Sequence, residues 1–148
     1  VDPATVDGFA TAAGAVIDAL PTGSWPLVDG YRSAGLPDDP VERAYRSAVV
    51  LRELRGGVHL DAVVASGLSA AVACQFDRGD DYYALHGFGA DDRVAETPDV
   101  LAARASAEEV TDLEMAELLA GLDDGQRDAL VTGATTLLAA TADPVAVG

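Results

Sequence analysis

Residues 49–65, VVLRELRGGVHLDAVVA, set Arg52, Glu53, Arg55 and His59 inside an otherwise apolar, helix-forming run. No other segment brings cations, a carboxylate and an imidazole so close together. Arg52 and Arg55 are three residues apart, on adjacent rows of one helical face, and two guanidiniums so placed suit a phosphate, sulfate or carboxylate. Gly56-Gly57 costs a helix roughly 2 kcal/mol relative to two alanines. The spacing therefore predicts that the helix over 41–55 ends or kinks there, with a new helix over 58–66; only if it continued through the glycines would His59 join Arg52 and Arg55 on one side. Free N–H groups at the start of that second helix would add to an anion site. His59 is suited to proton transfer near neutral pH, and Glu53 to orienting it or acting as base. Tyr45 lies near the same face as Arg52. The candidate set is thus His59 and Glu53 for catalysis, with Arg52, Arg55 and Tyr45 for substrate.

A purely structural use of these residues carries equal weight. Arg52 and Arg55 can pair with Glu53, Asp61 or Glu42, and His59 can be a satisfied packing residue. Two considerations keep the site in view. An unpaired buried cation costs several kcal/mol, and paired glycines let a backbone approach a ligand closely.

The chemistry this set suits is an elimination or intramolecular substitution on an anionic small molecule, driven by positioning and charge stabilisation. No cofactor is implied. There is no GxGxxG, no P-loop and no GxSxG,. Glu108, Glu109, Asp112, Glu114 and Glu117 have no His or Cys at metal-ligand spacing and read as a solvated helix face. Tyr82, Tyr83 and His86 read as a packing cluster, and Cys74, in AAVACQF, as a small buried hydrophobe.

The elements that must position these residues are helices. The 148-residue chain suits one helical domain,. Apolar residues make up 49% and aromatics only 5%, so the core is built from Ala, Val and Leu, as closely packed helices allow. Asp2-Pro3 and Asp39-Pro40 each read as a cap followed by proline at the first helical position. The first helix runs to about Leu20, and Ser24 caps a short second one. Ser69 caps a helix through Phe76, Thr97-Pro98 opens a long helix to about Leu119, and Asp123 with Gln126 forms a capping box for the last. Residues 143–148 read as a loose tail. The expectation is an all-α bundle of six or seven helices.

The net charge is −16, and every one of the nine cations is Arg. That field opposes both phosphate backbones and anionic membranes. No run of about 20 apolar residues spans a bilayer, and a single cysteine fits a reducing cytoplasm. The bias towards Ala, Gly, Asp and Arg is that of a GC-rich, actinobacterial genome.

The run LRELRGGVHLDAVVASGLSA, preceded by Asp39-Pro40 and Tyr45, resembles a family of actinobacterial helical proteins of unassigned activity, often labelled helix-turn-helix. A weaker echo is Thr111-Asp112. The resemblance spans about 24–138. Members of that family are commonly nearly twice this length, and this chain looks like their C-terminal part. The loop after Phe76 lacks the winged-helix-like sequence of some members. The resemblance implies a second protein chain that supplies the N-terminal half and covers the apolar faces of the first and fourth helices. In size and character the chain is also similar to small subunits of two-component enzymes that form aziridine rings by eliminating sulfate in azinomycin-type biosynthesis. Two other classes compete. In a DNA-binding regulator, helices over 58–66 and 69–76 would imitate a helix-turn-helix, with Ser69, Gln75 and Arg78 to read DNA. In a scaffold subunit, catalysis belongs to the partner.

Overall fold

A computed structural model describes residues 1–76 and 79–142; Arg78 and the tail 143–148 lie outside the described residues. Among those described, all regular structure is helical, with seven α-helices and one short 3-10 turn at Ala90–Asp92. The chain is all-α, as its composition and periodicity predict. It falls into two compact units, Val1–Arg55 with Ala116–Gly148, and Gly56–Met115.

In the first unit, α1 (Pro3–Ala19) begins where its cap predicts: Asp2 Oδ2 accepts the Thr5 N–H at 3.1 Å. Its Val6, Phe9, Ala10 and Ala13 form a buried cluster with Ala44, against which Leu130 and Leu137 of α7 (Asp124–Ala142) pack. The apolar face of α1 is therefore packed against this chain's own last helix. Small residues allow that approach. Gly133 of α7 lies directly against Phe9, and Gly8 of α1 faces Ala129. The Asp123–Gln126 capping box forms in both directions, at 2.8 and 3.0 Å. The short α2 (Pro26–Ser33) starts after Trp25 and not from a Ser24 cap: Pro26 occupies its first turn, where a missing N–H costs nothing,.

The next helix corrects the expected break. α3 runs unbroken over Pro40–Ala65, straight through Gly56-Gly57. Asp39 Oδ1 caps it, accepting the Val41 and Glu42 N–H groups at 2.9 and 3.0 Å. Leu54 and Val58, on either side of the glycines, have no exposed surface. Burying each side chain is worth about 1.5–3 kcal/mol, enough together to outweigh the roughly 2 kcal/mol that two glycines cost. No helix starts at residue 58, so the anticipated free N–H groups are absent there.

In the second unit, Ala62 and Val63 of α3 bury against Ala107 of α6 (Pro98–Leu119), with Leu68 and Ala73 beside them. α4 (Ala70–Gln75) is capped by Ser69, whose Oγ accepts the Val72 N–H at 3.2 Å. Gly67, at φ +77°, makes the turn before it, in a backbone region that favours glycine,. α5 (Asp80–Leu85) carries the buried Tyr83.

Candidate functional site

The five residues singled out from the sequence all lie on α3, and they are differently engaged. In the first unit, Tyr45 is 74% exposed, and the Arg52 side chain is 77% exposed. Arg52 Nη1 donates to Glu53 Oε1 at 3.0 Å. Arg55 is exposed as well. A surface pair such as Arg52–Glu53 contributes at most about 1 kcal/mol.

In the second unit, His59 is half-buried and bound to α6. Its Nδ1 lies 3.1 Å from Thr111 Oγ1, and its Nε2 lies 3.9 Å from Glu108 Oε1. Thr111 is fully buried, and its hydroxyl donates to the Ala107 carbonyl at 2.7 Å. A hydroxyl has one hydrogen. Thr111 therefore accepts from His59, which places a proton on Nδ1 and leaves Nε2 turned toward Glu108. Glu53 is held by Arg52 while His59 is held by Thr111, 52 residues away along the chain. The Thr111-Asp112 echo noted in the sequence thus has a contact behind it.

The first unit also holds a pocket of about 700 Å³ that no sequence motif marks. Ile17 and Asp18 from the end of α1, Tyr31 and Arg32 from α2, Leu36 after it and Val50 of α3 line it. The turn between α1 and α2 builds its polar wall. Arg32 Nη1 donates to the Leu20 carbonyl at 3.0 Å and lies 3.7 Å from Asp29. Asp29 Oδ2 in turn accepts the Gly23 N–H at 2.7 Å. Gly23 sits at φ +87°, and Pro21-Thr22-Gly23 reads in sequence only as a helix stop. Nothing local shows that this turn folds Asp29 and Arg32 back beneath Leu20.

Of the residues proposed to read DNA, Ser69 and Gln75 are engaged within the chain, and Arg78 lies outside the described residues. α4 has six residues. The Gln75 amide is committed to the backbone of Val94, donating to its carbonyl and accepting its N–H, both at 2.9 Å, and the Ser69 hydroxyl is spent as a cap. Two further cations serve the unit itself. Arg93 bonds Asp80 at 2.6 Å and lies over the Tyr83 ring, while Arg104 bonds the Phe76 carbonyl and lies over the Phe76 ring. Tyr82, Tyr83 and His86 do not converge on a pocket. The exposed His86 stacks on Tyr82 at 4.2 Å and bonds its carbonyl, whereas Tyr83 is buried against Phe88. Burial, with the Asp92 carboxylate adding to it, raises the Tyr83 phenol above its ordinary value, and Arg93 opposes the rise. Among the described residues, no three His, Cys, Asp or Glu side chains are grouped to hold a metal ion, and no helix is long and apolar enough to cross a membrane.

No curated protein and no solved structure matches the chain. A family model does, over residues 1–91. That match starts earlier than the resemblance read from the sequence and ends before α6, so it takes in α1 to α5 and the whole of the Leu51–Leu68 motif, but not Thr111. With well over half its length matched, the chain belongs to a helix-turn-helix family.

Proposed function

We propose that this chain is a subunit of a cofactor-independent small-molecule enzyme, and that Arg52 and Arg55 hold the anionic part of the substrate. One observation carries the proposal. Val41, Tyr45 and Arg52 recur along one stripe of α3 and are 65%, 74% and 77% exposed,. A cation flanked by uncovered aliphatic and aromatic side chains is the composition of a protein interface and not of an ordinary solvated face. A partner chain docked on that stripe would exclude water from the guanidiniums and strengthen their hold on an anion. Glu53, released from Arg52, is a carboxylate base beside it. In the second unit His59, with Nε2 beside Glu108, is the group suited to carry a proton. The reaction class is elimination or intramolecular substitution with an anionic leaving group, sulfate or phosphate.

The test is to purify the chain with the product of its neighbouring gene. The proposal expects a stable hetero-oligomer, with turnover or inorganic sulfate binding lost in Arg52→Ala and Arg55→Ala and folding unchanged by circular dichroism. A fully active lone monomer, or full activity in both variants, overturns it.

Family membership favours a second reading, a DNA-binding regulator, because the match includes α3 and α4. Affinity for DNA comes mainly from neutralising phosphates, and a chain of net charge −16 with Gln75 and Ser69 already committed offers little for that task. Tight, salt-dependent shifts of genomic fragments in a low-salt gel would reverse the ranking.

A further inference from the structure

We infer that the pocket of the first unit binds a small primary ammonium ion carried on a short apolar body. The inference concerns a different surface from Arg52 and Arg55, and it stands or falls apart from the enzyme reading. Its volume, about 700 Å³, lies in the range of small-molecule sites. Its floor is apolar: Ile17 and Val50 are nearly fully buried, and Leu36, 40% exposed, forms the lip.

The charges on its wall decide the ligand. Arg32 is the one cation among the lining residues, and it is already neutralised by Asp29 and anchored on the Leu20 carbonyl. Asp29 is held in turn by the Gly23 N–H. Asp18 lines the same pocket, is exposed, and forms no hydrogen bond or ion pair among the described residues. Asp18 is therefore the one lining carboxylate without a partner among the described residues, beside an apolar floor; Arg46, which does not line the pocket, lies 5.6 Å over the ring of Tyr31. The field of a chain of net charge −16 acts in the same direction, concentrating cations and repelling anions,. The occupant places its ammonium at Asp18 and its hydrocarbon against Ile17, Val50 and Leu36. The hydroxyls of Thr22 and Ser33, also in the lining, suit a further polar group on the ligand.

The test is a titration of the isotope-labelled chain with hexylamine, hexanol and hexanoate at one ionic strength, followed by NMR. Hexylamine is expected to shift the amides around residues 17–18 and 29–36, with hexanol weaker and hexanoate inert. Asp18→Asn should weaken hexylamine by up to about fivefold, the worth of one exposed ion pair, and bring it level with hexanol. Leu36→Trp, which adds bulk at the 40%-exposed lip, should abolish all binding with the circular dichroism spectrum unchanged. Asp7→Asn, which removes an exposed charge from α1 outside the pocket, should change nothing. Hexanoate binding as well as hexylamine, equal hexylamine affinity in Asp18→Asn, or shifts that ignore Leu36→Trp would each overturn the inference.

Discussion

The packing of α1 on α7 makes an unusual demand at one position, and substituting it tests the account of the first unit. Gly133 is buried in α7. A methyl group added there would collide with the Phe9 Cβ and lie 3.0 and 3.1 Å from the first ring carbons. The obstacle is the root of a side chain that is itself 3% exposed, so no flexible end can swing aside and the helices must part. Forced overpacking of a core costs about 1–3 kcal/mol. A gap of 0.5–1 Å forfeits a quarter to a half of the dispersion energy across it. Against this, alanine gains about 1 kcal/mol over glycine in a helix. The balance is a loss of about 1 kcal/mol for Gly133→Ala, or roughly 2–4 °C in Tm for a chain of this size. Gly8→Ala is the matched control. Its methyl would sit 3.6 Å from the Ala129 Cβ, an ordinary contact, so the helix-propensity gain of up to about 1 kcal/mol survives. Urea unfolding followed by circular dichroism and by Trp25 fluorescence measures both. If Gly133→Ala is as stable as the parent, or Gly8→Ala is equally damaged, the described helix contact is wrong. The placement of Ile17 and Asp18 at the pocket would fall with it, because the same helix carries them.

Three further outcomes are expected. The Tyr83 hydroxyl is buried and has no hydrogen-bond partner among the described residues; its phenol is raised above 10.0, first by burial. The folded state therefore holds that proton more tightly than the unfolded chain, so stability is intact below pH 10 and falls as pH rises through the folded value. Tyr83→Phe should leave stability at pH 7 unchanged or higher and blunt the alkaline loss, as pH-dependent urea midpoints would show; a parallel alkaline loss in the variant refutes the cause. Thr111→Val removes the acceptor that holds the His59 proton on Nδ1, so nitrogen shifts of the imidazole should move towards a tautomer mixture, at a cost of about 1 kcal/mol; an unchanged Nδ1–H signal would mean that another group fixes the ring. Asp39→Ala strips the cap of α3 and should cost about 0.5–2 kcal/mol, read from the urea midpoint, with no change in sulfate or hexylamine binding.

Local signals were legible in the sequence wherever one turn of chain contains both partners. Asp2 with Thr5, Asp39 with Val41 and Glu42, and Asp123 with Gln126 are each complete within four residues, so side-chain chemistry alone sets those helix starts. The all-α class followed from the same source, because apolar periodicity is a property of each segment by itself. The residue types of the candidate site were legible too, as polar interruptions of an apolar run. Their engagement was not. His59 meets Thr111 only through the packing of α3 on α6, and Arg32 reaches Leu20 only because Gly23 turns the chain. Gly56-Gly57 marks the boundary between the two kinds of information. Local propensity places a break there. The helix continues because Leu54 and Val58 are buried in the folded chain, and that burial outweighs the intrinsic cost of the glycines.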